Sequence, residues 1–193
     1  QAGAMVLVYT DGTVQVNHGG TEMGQGLHTK IRAVAADVFG IEASAVRIMT
    51  TQTDKVPNTS ATAASSGSDL NGAAVARACE TIVDRMRVVA AGILGIDDPA
   101  VLCFRAGRVC APGTRELHFS ELARACWASQ VSLASTGYYA TPGIKYDPAI
   151  GRGRPFFYFA FGGSISEVEV CGLTGEFRVR RIDILHDVGA VSY

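Results

Sequence analysis

Asn17-His18-Gly19-Gly20-Thr21-Glu22-Met23-Gly24-Gln25-Gly26 is the stretch around which the rest of the chain is organised. Four of the eight residues at positions 19–26 are glycine, and the run lies between a strand pattern and a helix pattern. Glycine weakens regular elements, so this density belongs where the backbone needs a positive φ or where a ligand approaches it. A helix that opens on such a loop presents amides without intrahelical partners, which suit an anionic or strongly accepting ligand. Two side chains stand out: Met23, apolar on a loop, and Gln25, whose neutral amide both donates and accepts. An ordinary strand-to-helix turn is the competing reading, and the local sequence leaves both open. No Gly-Lys-Ser/Thr follows, which excludes a P-loop, and Gly24-x-Gly26 does not complete a dinucleotide fingerprint.

Upstream, residues 4–9 are continuously apolar and residues 13–17 alternate, with Asp11-Gly12 between them as a two-residue hairpin signal. Downstream, Leu27, Ile31, Val34, Ala35 and Val38 fall at helical spacing, with Gly40 placed as a C-cap. Residues 46–49 read as a short strand. Residues 50–68 are small, polar and hydroxyl-rich. That composition suits a plain flexible loop, but structureless loops beyond about 12–15 residues in compact domains are usually functional or disordered. The segment also delivers Ser65, Ser66 and Ser68 to the longest helix pattern, in which Val75, Cys79, Ile82, Met86, Val89 and Ile93 form one apolar stripe. Ser68 is the expected N-cap. A β-α-β-α unit with two ligand-ready helix N-termini follows.

Residues 95–130 read as an accessory hairpin and helix. Strands at 101–104 and 108–111 would pair around Ala106-Gly107, and Ser120 would cap a helix through Leu122 and Trp127, with Trp127 in core or edge packing. Residues 131–140 form a strand ended by Thr141-Pro142-Gly143, and Arg152-Gly153-Arg154 a solvated basic loop. Five aromatics occupy the six positions 156–161, read as strand core. Residues 166–170 and 176–185 form a last hairpin, with a bulge where Arg180-Arg181 breaks the alternation. The fold class is α+β: two long helices on one side of a mainly antiparallel or mixed sheet.

With 193 residues, 48% apolar, 18% charged and a formal net charge of −1, the chain has ample core material and no electrostatic case for nucleic acid or an anionic membrane. No run of about 18 apolar residues implies a transmembrane helix. The five cysteines, Cys79, Cys103, Cys110, Cys126 and Cys171, lack any C-x-x-C pair. This fits buried thiols in a reduced, cytoplasmic protein, not a disulfide frame or zinc site. His18, His28, His118 and His186 are too scattered for a multi-histidine metal site. Gln1 is not an initiator methionine, and strand patterns lie close to both ends. The expectation is a piece of a larger protein, with an exposed apolar face and self-association as a homo-oligomer.

His18-Gly-Gly-Thr-Glu-Met-Gly-Gln-Gly-Leu-His28, followed by Val56-Pro-Asn-Thr-Ser-Ala-Thr-Ala-Ala-Ser65, closely resembles the molybdenum-cofactor domain of the xanthine dehydrogenase family of molybdenum hydroxylases. The similarity continues through Asp69-Leu-Asn-Gly72, Val131-Ser-Leu-Ala-Ser-Thr-Gly-Tyr138 and residues 183–189, in the family's order and over essentially the whole chain. The resemblance implies that Gln25 reaches the molybdopterin near the metal, with Met23 and Gly24 on the same face. Thr62, Ala64, Ser65 and Ser66 would hold the pterin and its phosphate, and Gly67 would add a backbone contact. Ala63 and Ala64 would flank the position where substrate approaches. Molybdenum would be held by the pterin's dithiolene, so no protein metal ligand is expected.

The same resemblance places the catalytic glutamate beyond Tyr193 and the substrate-orienting residues before Gln1, so no catalytic residue is assigned here. Glu22 and Glu167 match neither and are read as structural. The implied activity of the intact enzyme is insertion of a water-derived oxygen into a C–H bond of a purine, or of an aldehyde in an aldehyde oxidase-type relative. Electrons would leave through iron–sulfur clusters and FAD on another domain or subunit. A non-catalytic module that kept the fold and binds another ligand or a partner is the remaining alternative. Residues 1–193 would then be one wall of the cofactor site, completed by other segments of the molybdenum subunit.

Overall fold

The computed structural model describes residues 1–55 and 59–189. Motif residues Val56, Pro57 and Asn58 lie outside them. Contacts divide the chain into two compact units, Gln1–Thr141 and Pro142–Tyr193.

The first unit is built on a mixed four-stranded sheet. In β1 (Ala2–Val8) the inward positions Ala2, Ala4, Val6 and Val8 are buried and the alternate ones half-exposed, the signature of a sheet covered on one face. It pairs antiparallel with β2 (Val14–His18), from Ala4 opposite His18 to Val8 opposite Val14. Their connection has three residues between the closing pair, not the two expected. Tyr9 N–H donates to the Thr13 carbonyl at 2.9 Å, Gly12 stands left-handed at φ 87°, and the Asp11 carboxylate accepts from Thr13 N–H at 2.9 Å. An Asx turn before a left-handed glycine thus adds one residue to the loop.

α1 (Leu27–Phe39) ends at Gly40, left-handed at φ 61°, as the sequence indicated. A 3₁₀ turn at Ala43–Ala45 leads into β3 (Val46–Ile48), which pairs parallel with β2. α2 (Gly67–Leu94) is the longest helix. After it come the small strands β4 (Cys103–Arg105), β5 (Arg108–Cys110) and β6 (Leu117–His118), which form a separate sheet, and α3 (Phe119–Ala128). β7 (Ala134–Tyr139) then pairs antiparallel with β1, giving the order β3-β2-β1-β7. The α+β expectation is borne out, with the sheet in its mixed form.

Ile31 and Phe39 of α1, Val75, Ile82 and Met86 of α2, and Val6 and Val16 of the sheet are fully buried together. α2 lies directly on the strands: a Cβ at Gly137 would collide with the Ala74 carbonyl and stand 2.8 Å from the Ala78 nitrogen. Arg77 and Arg85 reach from α2 to the carbonyls of Tyr138 and Ala134, at 2.6 and 2.9 Å. Three local expectations need correction. Ser68 lies inside α2, and Ser66 occupies its N-cap position. α3 opens at Phe119 with His118 as N-cap, and Glu121 accepts from His118 N–H at 3.1 Å in place of a Ser120 cap. Trp127 is 69% exposed, because Leu122, Ala123 and Cys126 already fill the buried face of α3.

The second unit comprises two hairpins, β8 (Lys145–Asp147) with β9 (Arg152–Arg154) and β10 (Phe161–Val170) with β11 (Phe177–Asp187). The second carries the expected bulge: Glu167 faces Arg181 and Val168 faces Val179, so Arg180 is the extra residue. Arg152-Gly153-Arg154 is a strand, correcting the loop reading. Phe156, Phe157, Tyr158 and Phe159 precede β10 outside any strand and are exposed, contrary to the strand-core reading. A run without alternation has no single face to bury.

Cys79 and Cys126 are buried, and burial pushes their thiols up to about 12 and about 11 respectively. Cys103 and Cys171 are exposed, so burial does not extend to all five thiols. No helix among the described residues is long and apolar enough to cross a membrane.

Candidate functional site

The glycine loop and the start of α2 face each other across a cleft of about 310 Å³. Met23, Gln25, Leu27 and Lys30 line one side, and Thr62, Ala63, Ala64, Ser65, Gly67 and Ser68 the other. Of the residues singled out from sequence, Gly24 and Ser66 do not line it. A broader hollow of about 900 Å³ beside the β10–β11 turn is the concave side of one hairpin, lined only by residues of the strand ends and the turn. It gathers no donors from separate elements, so the smaller cleft is the site candidate.

Close packing explains the first two glycines. A Cβ on Gly19 would collide with Thr59, and one on Gly20 would stand 2.6 Å from Leu27 Cδ2 and 2.9 Å from Asn71 Nδ2. His18, 2% exposed, accepts from Gly20 N–H through Nδ1 at 3.1 Å. Burial drives its imidazole down from its usual 6.5 to about 4, aided by the charge of His28, so it is neutral at neutral pH. The His28 ring stands edge-on to it, centroids 5.2 Å apart. Thr21 N–H donates to Thr62 Oγ1 at 2.8 Å, and Thr51 Oγ1 donates to the Gly20 carbonyl at 2.9 Å. The two loops that form the cleft walls are therefore joined directly.

The two helix N-termini differ from the expectation that both are open. At α1 the Glu22 carboxylate accepts from Gly24 N–H at 2.8 Å, Gly26 N–H at 3.1 Å and His28 N–H at 2.9 Å. These bonds, that from His28 first, hold its carboxyl below the usual range. At the start of α1 the Gly26 and His28 amides are thus taken by the protein's own carboxylate. At α2, Ser66 turns its hydroxyl to the Ala63 carbonyl at 2.9 Å and caps nothing. The amides of Gly67 and Ser68, in the first turn, have no intrahelical carbonyl to bond. Ala64 and Ser65 just before it are left-handed at φ 51° and 58°, a conformation that costs about 1–2 kcal/mol per non-glycine residue.

Gln25 has its amide oriented by its own loop. Oε1 accepts from Met23 N–H at 2.6 Å and Nε2 donates to the Thr21 carbonyl at 2.9 Å, which leaves one N–H to offer the cleft. Lys30, which the sequence reading missed, makes no hydrogen bond or ion pair through Nζ among the described residues. It also sits early in α1, where a cation opposes the helix dipole, and that misplacement is the signal that could have found it. Among the described residues, no carboxylate lines the cleft. Its donors are an ammonium, one amide N–H, the hydroxyls of Thr62, Ser65 and Ser68 and the first amides of α2. That set fits a phosphate and an acceptor-rich ring, and the small side chains of Ala63, Ala64 and Gly67 leave room for a flat one.

Residues 1–192 match the family described as molybdopterin cofactor-binding domain. The chain is 47% identical over 191 residues to xanthine dehydrogenase of Oryza sativa subsp. japonica, covering 98% of this chain and 12% of that protein. It is 46% identical over 192 residues to xanthine dehydrogenase of Dictyostelium discoideum, covering 98% of this chain and 13% of that protein. Among solved structures it superimposes on quinoline 2-oxidoreductase from Pseudomonas putida 86 with a TM-score of 0.79, at 23% identity, covering 96% of this chain and 23% of that one. The donor set of the cleft, the fold and the match along nearly its whole length lead to one conclusion: this chain belongs to the molybdopterin cofactor-binding domain family.

Proposed function

We propose that this chain forms one wall of the molybdopterin site in a xanthine dehydrogenase-like hydroxylase, acting within a larger protein. The observation that carries the reading is the convergence of the Gln25 N–H, Lys30 and the uncapped start of α2 on a cleft without a carboxylate. The chain spans about 12% of the length of the relatives it matches, so the remaining cofactor contacts and the general base would come from outside it. The same holds for iron–sulfur and FAD groups, and self-association through exposed apolar surface belongs to this reading as well. A purine substrate is inferred from the names of the relatives.

The cofactor, when bound, supplies the oxidative hydroxylation chemistry. Gln25 would donate its remaining N–H to an acceptor near the metal, with Met23, 68% exposed, beside it on the same wall. Lys30, the hydroxyls of Ser65 and Ser68 and the first amides of α2 would take the phosphate, a charge-assisted arrangement favoured at a helix N-terminus. Ala63 and Ala64 would keep the approach to the reacting carbon clear and exclude water by backbone contact.

The test is the Gln25 series in the intact enzyme, with molybdenum content measured beside rate. A charge-assisted hydrogen bond in such a site contributes roughly 1.5–3 kcal/mol, so Gln25→Ala should lower activity by about one to two orders of magnitude. Gln25→Glu should be worse and lose metal, because it sets a like charge against an anionic cofactor. Gln15, whose side chain accepts from Tyr9 Oη at a half-exposed strand position, should tolerate alanine. Full metal and full rate in Gln25→Ala would reduce the glycine loop to a structural turn.

A further inference from the structure

Glu22 lies beside the cleft without lining it, and its bonding is unusually concentrated. Both oxygens of one carboxylate are used: Oε1 takes Gly24 and Gly26, and Oε2 takes His28. These three donors bracket Gln25 on both sides. Gly24 at φ 97° and Gly26 at φ 77° are both left-handed, and a Cβ at Gly24 would meet nothing, so the conformation and not close packing calls for glycine there. The chain makes its reversal around Gln25 because two glycines permit it and one carboxylate collects the amides it turns inward. With those amides facing Glu22, the Met23 N–H and the Thr21 carbonyl are left in position to clamp the Gln25 amide, at 2.6 and 2.9 Å.

We infer that Glu22 is the positioning residue of this site: its carboxylate sets the loop that fixes which atom of Gln25 faces the cofactor. The assignment rests on the cofactor reading above and deepens it. With the loop held, the amide is fixed with its oxygen toward Met23 N–H and one Nε2 proton on the Thr21 carbonyl, and the second Nε2 proton remains as a donor. Released, the amide can rotate and present its oxygen to an anionic ligand, which is repulsive. A glutamine at position 22 keeps a single oxygen acceptor and cannot serve both sets of amides, so an isosteric change suffices to break the arrangement.

The groups around the carboxylate are the backbone amides and the two histidines. His28 lies at the start of α1 and acts on Glu22 through its charge and its amide; His18 lies on β2 and is neutral. The carboxyl is depressed in the folded protein, so the order it gives the loop is complete above the ordinary carboxylate range and is lost as pH falls through its lowered value.

The test is a double-mutant cycle in the full-length holoenzyme with Glu22→Gln, Gln25→Ala and the pair, reading molybdenum content, rate and the Mo(V) electron paramagnetic resonance signal. Glu22→Gln alone should lower rate by about tenfold and shift the signal. In the Gln25→Ala background the same change should add less than about twofold, because the two residues act as one unit. Fully multiplicative losses with an unchanged Mo(V) signal would make Glu22 a structural residue and overturn the inference. If Gln25→Ala itself changes nothing, the cofactor reading fails first and the inference with it. If Gln25→Ala costs activity but Glu22→Gln does not, only the inference fails.

Discussion

The starts of α1 and α2 are the same kind of element put to opposite uses. Both follow backbone in the left-handed region, Gly24 and Gly26 before α1 and Ala64 and Ser65 before α2. At α1 a protein carboxylate already takes the Gly26 and His28 amides, so part of the electropositive end of the helix holds its own loop. At α2 the N-cap side chain, Ser66, turns away to Ala63, and Gly67 and Ser68 line a cleft that also holds Lys30. Glycine makes the left-handed turn at α1 without strain, whereas alanine and serine accept strain at α2. Strain without local compensation is what a ligand-binding loop carries and a self-contained turn does not. Two helix N-termini in one domain are therefore not two anion sites; the side chains nearby decide which is available.

The largest way to break this comparison is to move α2 without touching α1. Gly137→Ala would drive a methyl into the backbone of α2 at Ala74, where neither the helix nor the strand can give. We expect a loss exceeding about 3 kcal/mol in chemical denaturation, at the upper end for overpacking, together with loss of cofactor. A variant of near-normal stability would show that α2 is not anchored on β7 as described.

A smaller effect separates the α1 side from the α2 side by pH. His18 titrates near 4 in the folded protein against 6.5 otherwise, so between those values the unfolded chain binds the extra proton and stability falls as pH is lowered. The loss should be on the order of 1–3 kcal/mol across that window. His18→Gln, which keeps an acceptor within reach of Gly20 and has no proton to gain, should flatten the dependence in urea titrations at stepped pH. An unchanged slope would mean that His18 is not the group that titrates.

Much of this fold is legible in the sequence because local signals and tertiary packing agree. Val75, Cys79, Ile82 and Met86 of the expected stripe are the buried face of α2, while Val89 is half-buried and Ile93 exposed at the helix end; Gly40 ends α1, and Arg180 is the bulge. Disagreement arises where a single residue is decided by its surroundings. Ser66 and Ser68 are equivalent as N-cap candidates in sequence, and only the turn at Ala63–Ser66 chooses between them. Trp127 is apolar, but the buried face of α3 is already full. The motif singles out Met23, Gln25, Thr62, Ala63, Ala64, Ser65 and Gly67, which line one cleft, and also Gly24 and Ser66, which do not. It does not single out Lys30, because a lysine on an amphipathic helix reads as surface until the cleft beside it is seen to lack any carboxylate. Glu22 reads as structural in sequence, because nothing local shows that it takes three backbone amides around Gln25.

The central claim is that the α2 side of the cleft holds an anion, and charge reversal at Lys30 tests it most directly. Lys30→Glu in the full-length protein puts a carboxylate among Ser65, Ser68 and the first amides of α2 while leaving the core untouched. Molybdenum and pterin content per chain, measured with thermal stability in the same preparations, should fall at least about tenfold, equivalent to about 1.4 kcal/mol, with stability of the apoprotein unchanged. A Lys30→Glu protein that retains full molybdenum and full pterin would contradict the account, since no anionic group could then be seated there.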